Sequence, residues 1–291
     1  MSTLSLFAPA KINLTLEVLG KRADGYHVLE SLVAFASFGD VLQFEKSDKT
    51  ELSFSGPFGD ALAQLPGNLI LDAHQLFEEK LGRALNVSIK LEKNLPIASG
   101  IGGGSANAAC CLQGLTRLFD LDPLLLHDLA PVLGADVPVC LDARPKWMTG
   151  IGHDLVPVPF LPEADIVAVN PGFALSTRDV FKALAARPYG GGGKGFLERI
   201  ETLSQLHAFM QVRGNSLMAP ACSLNPEVKL LLDRLSAYGP AFMSGSGATC
   251  FVLLAPGKGQ ALLEQEKFPD HYWARCGALI GAVDTEVDQI Q

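Results

Sequence analysis

The chain has 291 residues, 48% of them hydrophobic and 19% charged, with a formal net charge of −8. That apolar share excludes an intrinsically disordered chain, and the length favours two domains over one. The acidic balance gives no chain-wide basic field for nucleic acid or an anionic membrane, but it leaves room for a small anionic ligand, because a few backbone N–H groups and one or two lysines suffice for a phosphate.

No apolar run approaches the roughly 18 residues of a membrane span, and MSTLSLFAPAKINL lacks the basic and apolar regions of a secretory signal, so a cytoplasmic protein is expected. Cys110, Cys111, Cys140, Cys222, Cys250 and Cys276 have neither CxxC spacing nor the density of a disulfide scaffold, and they read as reduced small hydrophobes, mostly buried. The histidines are scattered without an HExxH, which leaves a zinc hydrolase unsupported.

Residues 11–18, KINLTLEV, alternate as one strand, with Ile12, Leu14, Leu16 and Val18 on one face and Lys11, Asn13, Thr15 and Glu17 on the other. After the turn-forming GKRADGYH, the apolar run 29–38, then VLQFE and ELSFS, predict further strands. Residues 67–81 change to helical spacing with Asn68 as cap, and VSIKLEK (87–93) returns to strand alternation. The stretch NLPIASGIGGGSANAA (94–109) then leads into an amphipathic helix marked by Ala108, Cys111, Leu112, Leu115 and Phe119, its first turn at or near Ser105. A second helix is expected over 123–133, capped by Asp122, ended by Gly134 and kinked or shortened by Pro131.

The proline-rich VPVPFLP (156–162) divides a domain over 1–155 from one over 156–291. Beyond it, ADIVAVN reads as a strand, VFKALAA as a helix and YGGGGKG (189–195) as an exposed linker. Helices follow around 196–212 and 226–237, the second opened by Asn225 and Pro226, and PAFMSGSGATCFVLL reads as strand, glycine turn, strand. There is no fixed-period repeat and no regular βαβ alternation, so the fold class is α+β.

A strand that ends in a glycine turn and enters a helix gathers backbone N–H groups and the positive end of a helix dipole at one point. Glycines there let a phosphate approach the backbone. Neither common fingerprint fits: GxGxxG needs glycine at position 105, which is serine, and GxxxxGK[ST] matches nowhere. The competing reading is a plain flexible connection, against which the flanking strand and helix weigh.

With these residues assembled, LPIASGIGGGSANAA (95–109) resembles the phosphate-binding motif of the GHMP kinases, the group of galactokinase, homoserine kinase and mevalonate kinase. APAKINLTLEV (8–18) and FMSGSGATCFVLL (242–254) resemble that family's first and last motifs, in the right order and spanning nearly the whole chain. RADGYHVLES (22–31), GADVP (134–138) and PGFALSTRDVF (171–181) resemble the branch that phosphorylates 4-diphosphocytidyl-2-C-methyl-D-erythritol in the non-mevalonate isoprenoid pathway. The resemblance implies a two-domain α+β fold, with an N-terminal nucleotide-binding domain like domain 2 of ribosomal protein S5 and a ferredoxin-like C-terminal domain. It also implies ATP with Mg²⁺, transfer to the 2-hydroxyl, and a small-molecule substrate carrying a cytidine diphosphate group. No nucleic-acid or membrane partner is expected, and the sequence leaves monomer and dimer both open. Two departures are visible: Ala98-Ser99-Gly100 stand where GGG or AAG is frequent, and Asn107 stands where a serine and an acidic residue are frequent, so no metal ligand is assigned there.

Phosphoryl transfer asks for positioning and charge neutralisation. The resemblance implies a nucleotide cradle of Pro96, Ile97, Ala98, Ser99, Gly100, Ile101, Gly102, Gly103, Gly104, Ser105 and Ala106, with Asn68 as an adenine contact. Lys11 supplies the cation, and Asp136 receives the proton or orients the hydroxyl. On the substrate side stand Asn13, Tyr26, His27, Thr177 and Phe181, with His27 on the base edge, Phe181 a second aromatic on the base, and Gly245, Ser246 and Gly247 closing over the phosphates. Read one at a time, Lys11 is a solvated strand lysine, Asp136 a turn or cap residue, Tyr26 and His27 an exposed turn, Asn68 a helix cap, and Gly245 to Gly247 a hairpin turn. Two other functions compete. A homoserine or mevalonate kinase would have no base to stack on RADGYH, and a non-catalytic nucleotide sensor would have no need of both Lys11 and Asp136.

Overall fold

A computed structural model describes residues 3–184, 195 and 199–281. The chain opens with β1 (Leu4–Asn13), β2 (Glu17–Lys21), β3 (His27–Lys46) and β4 (Glu51–Ser55), then α1 (Gly59–Ala63), α2 (Leu69–Leu81) and β5 (Val87–Glu92). Three helices follow, α3 (Gly103–Phe119), α4 (Leu125–Leu133) and α5 (Val137–Cys140), and then β6 (Lys146–Thr149), β7 (Asp154–Pro157) and β8 (Asp165–Asn170). The last third holds α6 (Thr177–Leu184), α7 (Leu203–Arg213), α8 (Met218–Leu224), α9 (Pro226–Leu235), β9 (Ala241–Met243), β10 (Cys250–Leu254), α10 (Gly259–Gln265) and β11 (Trp273–Ile280).

Two compact units share these elements. The first comprises the chain up to Ala10 together with Gly39–Ile97 and Gly102–Asp142. Its β5 pairs antiparallel with the second half of β3, Leu42 facing Leu91 and Phe44 facing Ile89, and parallel with β4. Leu42, Phe44, Ile89 and Leu91 are fully buried. Helix α3 lies over this layer: a side chain at Gly114 would strike the ring of Phe44, so the glycine lets helix and aromatic meet. Helix α2 starts as its sequence predicts, Asn68 accepting from the N–H of Ile70 at 2.9 Å.

The second unit comprises Lys11–Phe38, Ala98–Ile101 and the chain from Ala143 on. Here β8 pairs antiparallel with both β10 and β11, and β9 adds to β10 as the outer strand of a hairpin. Val167, Val169 and Val252 pack with Val180, Val228, Leu231 and Leu235 from helices α6 and α9, the core of this unit. Every second residue of β8 and β10 joins this helical layer, and both strands are buried along nearly their whole length.

Several expectations needed correction. KINLTLEV is not one strand: β1 ends at Asn13, both Leu14 and Thr15 donate to Leu32 O, and β2 begins at Glu17. The break buries Lys11, Asn13 and Thr15 along with Ile12 and Leu14, so the two-faced pattern fails. The runs 29–38 and VLQFE, separate in the sequence, form the single 20-residue strand β3, because Gly39 is a close crossing rather than a turn: a Cβ there would run into the backbone of Ala8. Helix α3, by contrast, begins at Gly103 and so has Ser105 in its first turn, as its sequence predicts. Most of the glycine linker, 189–194, lies outside the described residues, and the helix expected from 196 starts at Leu203 behind a Thr202–Gln205 capping box.

Candidate active site

In the first unit, the glycine stretch is anchored from below by Asp40. Its Oδ1 accepts from the N–H groups of Asn94 (2.7 Å) and Leu95 (2.9 Å), and its Oδ2 accepts from Asn107 Nδ2 (2.9 Å) and from the Lys93 ammonium. Asp40 and Lys93 are both buried, a setting in which ions persist only when paired and hydrogen-bonded. One carboxylate thus joins the residues just after β5 to the second turn of α3. Composition and spacing did not reveal this cluster, because Asp40 lies 53 residues from Lys93 and 67 from Asn107. The first turn of α3 carries no acidic residue and no side-chain cap, and Ala106 N–H is bonded to Gly102 O at 2.9 Å. By helix geometry, the N–H groups ahead of it point out of the helix end. Around Gly104 a Cβ would meet only Leu69 Cδ1, at 3.6 Å, so the helix end is bare and open to an approaching anion.

In the second unit, loop residues Ala98–Ile101 meet β1 and the C-terminal glycine turn. The Lys11 N–H donates to Ile101 O at 3.0 Å, and the Lys11 residue is only 3% exposed, so the solvated-lysine reading is overturned. Ser244 Oγ accepts from the Asn13 N–H at 3.0 Å and donates to Gly100 O at 2.9 Å, while the Thr249 N–H donates to Ser99 O at 3.2 Å. Gly100 has φ +79, and a Cβ on it would lie 2.5 Å from Ser244 O, so only glycine fits between loop and turn. The turn is held from its other side by Asn215, whose Nδ2 donates to Met243 O and Gly245 O at 2.7 and 2.8 Å. Thr177 Oγ1 meets Ser246 Oγ at 2.8 Å. Asn13 Nδ2 donates to Ser31 Oγ at 2.7 Å, which orients the Asn13 amide. The turn at 245–247 is therefore more than a plain hairpin connection.

His27 and Phe181 stack directly on each other, ring centroids 4.5 Å apart and planes at 28°. No base fits between them, so the two rings form one aromatic block rather than two jaws. Burial, with Lys21 adding to it, holds His27 below the usual histidine pKa, which keeps the ring neutral near pH 7. Tyr26 is 58% exposed on the neighbouring turn, where its N–H is tied to Asp24 Oδ1 at 3.1 Å. Asp136 occupies the position before α5 but makes no capping hydrogen bond, which removes the cap explanation for it. Asn68 does serve as a cap, and that role engages its Oδ1.

Comparison with known proteins bears on this arrangement. The N-terminal domain model of the GHMP kinases matches residues 68–143 and the C-terminal model matches 194–272. A 4-diphosphocytidyl-2-C-methyl-D-erythritol kinase of Parvibaculum lavamentivorans is 44% identical over 94% of this chain and 97% of its own length. The chain belongs to the GHMP kinase family. A protein of Rhizobium johnstonii with the same name is 45% identical over 97% of this chain and 95% of its own. The crystal structure of a 4-(cytidine 5'-diphospho)-2C-methyl-D-erythritol kinase superposes with a TM-score of 0.71 at 35% identity, covering 95% of this GHMP kinase and 99% of that chain. The α+β, two-domain class expected from the motifs is the one these matches carry.

Among the described residues of this GHMP kinase, no group of three or more His, Cys, Asp or Glu side chains is arranged to hold a metal ion, and no helix is long and apolar enough to cross a membrane. The cysteines are free thiols, with Cys110, Cys111, Cys140 and Cys250 buried and Cys222 and Cys276 half-buried.

Proposed function

We propose that this GHMP kinase transfers the γ-phosphoryl group of ATP to the 2-hydroxyl of 4-diphosphocytidyl-2-C-methyl-D-erythritol, giving the 2-phosphate and ADP, in the cytoplasm. The observation that carries the reading is identity of 44 and 45%, over nearly the full chain, to kinases named for that substrate. The uncapped start of α3 supports a phosphate cradle running from Pro96 to Ala106, and the open space at Gly104 supports close approach of the β- and γ-phosphates. Mg²⁺ fits as an ion carried in on the nucleotide phosphates rather than in a protein cage, since such ions keep most of their ligands as phosphate oxygen and water. When bound it neutralises phosphate charge.

Lys11 acts as the fixed cation near the transferred group, and Asp136 accepts or orients the substrate hydroxyl proton. His27, neutral at pH 7, offers one donor and one acceptor nitrogen to the edge of a cytosine that packs against the His27 and Phe181 block, with Tyr26 beside it. Asn13, Thr177 and the turn Gly245, Ser246 and Gly247 contact the rest of the substrate, and Asn68 borders the adenine. The nucleotide domain corresponds to 1–155 and the C-terminal domain to 156–291.

Coupled ADP release with Mg-ATP tests the reading, run in parallel with the cytidylylated methylerythritol, homoserine and mevalonate. Turnover is expected with the first alone; turnover with either of the others discards the cytosine site. Asp136→Asn is expected to lose about 100-fold or more in kcat while still binding nucleotide, the size of loss typical of a general base. An unchanged kcat in that variant would discard the role given to Asp136, and no turnover by the wild-type protein with any of the three acceptors would revive the sensor function.

A further inference from the structure

We infer that Ser244 is the positioning residue that sets the phosphate loop, the strand of Lys11 and the C-terminal glycine turn in one register. Three segments that the proposed function places around the reacting groups meet at its hydroxyl. Its Oγ accepts from the N–H of Asn13, two residues along β1 from Lys11, at 3.0 Å. The same oxygen donates its single proton to the carbonyl of Gly100, at 2.9 Å. Through its own backbone Ser244 closes the turn, its N–H donating to Thr249 O and its carbonyl accepting from the Gly247 N–H, each at 3.0 Å.

A hydroxyl has one proton to give and lone pairs to receive, and here both capacities are used on different segments. Two further ties in this corner, Lys11 N–H to Ile101 O and Thr249 N–H to Ser99 O, run from backbone to backbone and do not depend on a side chain. The Ser244 bridge is made by a side chain, so a single substitution can cut it. Ser244 is fully buried, and the backbones of Gly100 and Gly247 crowd it so closely that a Cβ on Gly100 would lie 2.5 Å from Ser244 O and 2.7 Å from Gly247 O. Without the hydroxyl, a buried N–H on β1 and a half-buried carbonyl in the loop lose this partner together, and the segments are free to shift by the fraction of an ångström that matters to an in-line transfer.

Ser244 touches neither reacting group in this account, so its removal should show in the chemical step and leave binding nearly intact. The inference rests on the kinase reading above, and the test separates the two. Ser244→Ala is measured well below its thermal midpoint, with kcat and both KM values, alongside hydrogen exchange by mass spectrometry. The expected result is a fall in kcat of about 30-fold or more with each KM within about 3-fold, as small misplacements of reacting groups give. Faster exchange is expected in peptides covering 11–16, 98–102 and 244–249, without change in α9 or β11. Ser244→Cys, which keeps a weak donor and acceptor in a similar volume, should recover part of the lost kcat, and it carries the test by itself if the alanine variant does not fold. A kcat within about 2-fold of wild type, or exchange that rises evenly across the chain, overturns the inference. If the wild-type enzyme itself fails to turn over the cytidylylated substrate, the kinase reading has failed, and the exchange pattern still decides the role of Ser244.

Discussion

His27 shows how one residue ties burial, charge and recognition together. Its ring lies on Phe181 and is partly withdrawn from water, and that burial, more than the nearby Lys21, disfavours the imidazolium. The folded protein therefore binds fewer protons at this site than the unfolded chain does in the window just below pH 6.5. The sign follows from linkage: the contribution of His27 to stability is present above that window and is lost as pH falls through it. An NMR titration should place the His27 pKa below that of a free histidine, and the KM for the cytidylylated substrate should rise as pH drops through the same range. A His27 pKa at or above 6.5 would contradict the assignment of a neutral ring to the base edge. The buried pair of Lys93 and Asp40 is the structural counterpart, two ions kept inside because Asn94, Leu95 and Asn107 complete their hydrogen bonding.

At the scale of elements, the loop from β5 to α3 separates glycines needed for shape from glycines needed for access. Gly104 sits in open space at the helix end, where an alanine makes only ordinary contact with Leu69 and is the better helix former. Gly104→Ala should leave the unfolding midpoint unchanged or slightly raised, yet raise the KM for Mg-ATP about 10-fold by placing a methyl where a phosphate must approach. Gly100→Ala should do the reverse in kind, lowering stability because its φ of +79 and the backbone of Ser244 leave no place for a Cβ. Equal effects on stability from both variants would contradict this division. The loop and the helix were legible in the sequence because glycine, alternation and 3.6-residue spacing are local signals. The join at Gly39 was not, since a glycine in a close crossing looks the same in sequence as a glycine in a turn, and neither was β11, whose WARCGALI pairs with β8 and with Phe35 and Ala36 in the middle of β3 without an alternating pattern of its own. The burial of Lys11 was equally hidden. A strand lysine reads as solvated until the segment that crosses it is known, here the loop whose Ile101 O accepts from the Lys11 N–H.

For the whole molecule, three motifs far apart in the chain carried the family, and all three are in direct contact in the second unit, where Ser244 of the turn is hydrogen-bonded to Gly100 of the loop and to Asn13 of β1. What the sequence could not supply was the tie itself, because residues 144 positions apart become neighbours only through the pairing of β8, β9 and β10. The central claim concerns where the phosphate goes. The measurement that tests it most directly is ³¹P NMR of the product formed from Mg-ATP and 4-diphosphocytidyl-2-C-methyl-D-erythritol. The account predicts one new phosphomonoester resonance coupled to the methylerythritol carbon skeleton at C2, with the diphosphate bridge to cytidine intact and ADP formed in equal amount. Release of inorganic phosphate without a new ester, or a diphosphate bridge that is broken, would contradict it.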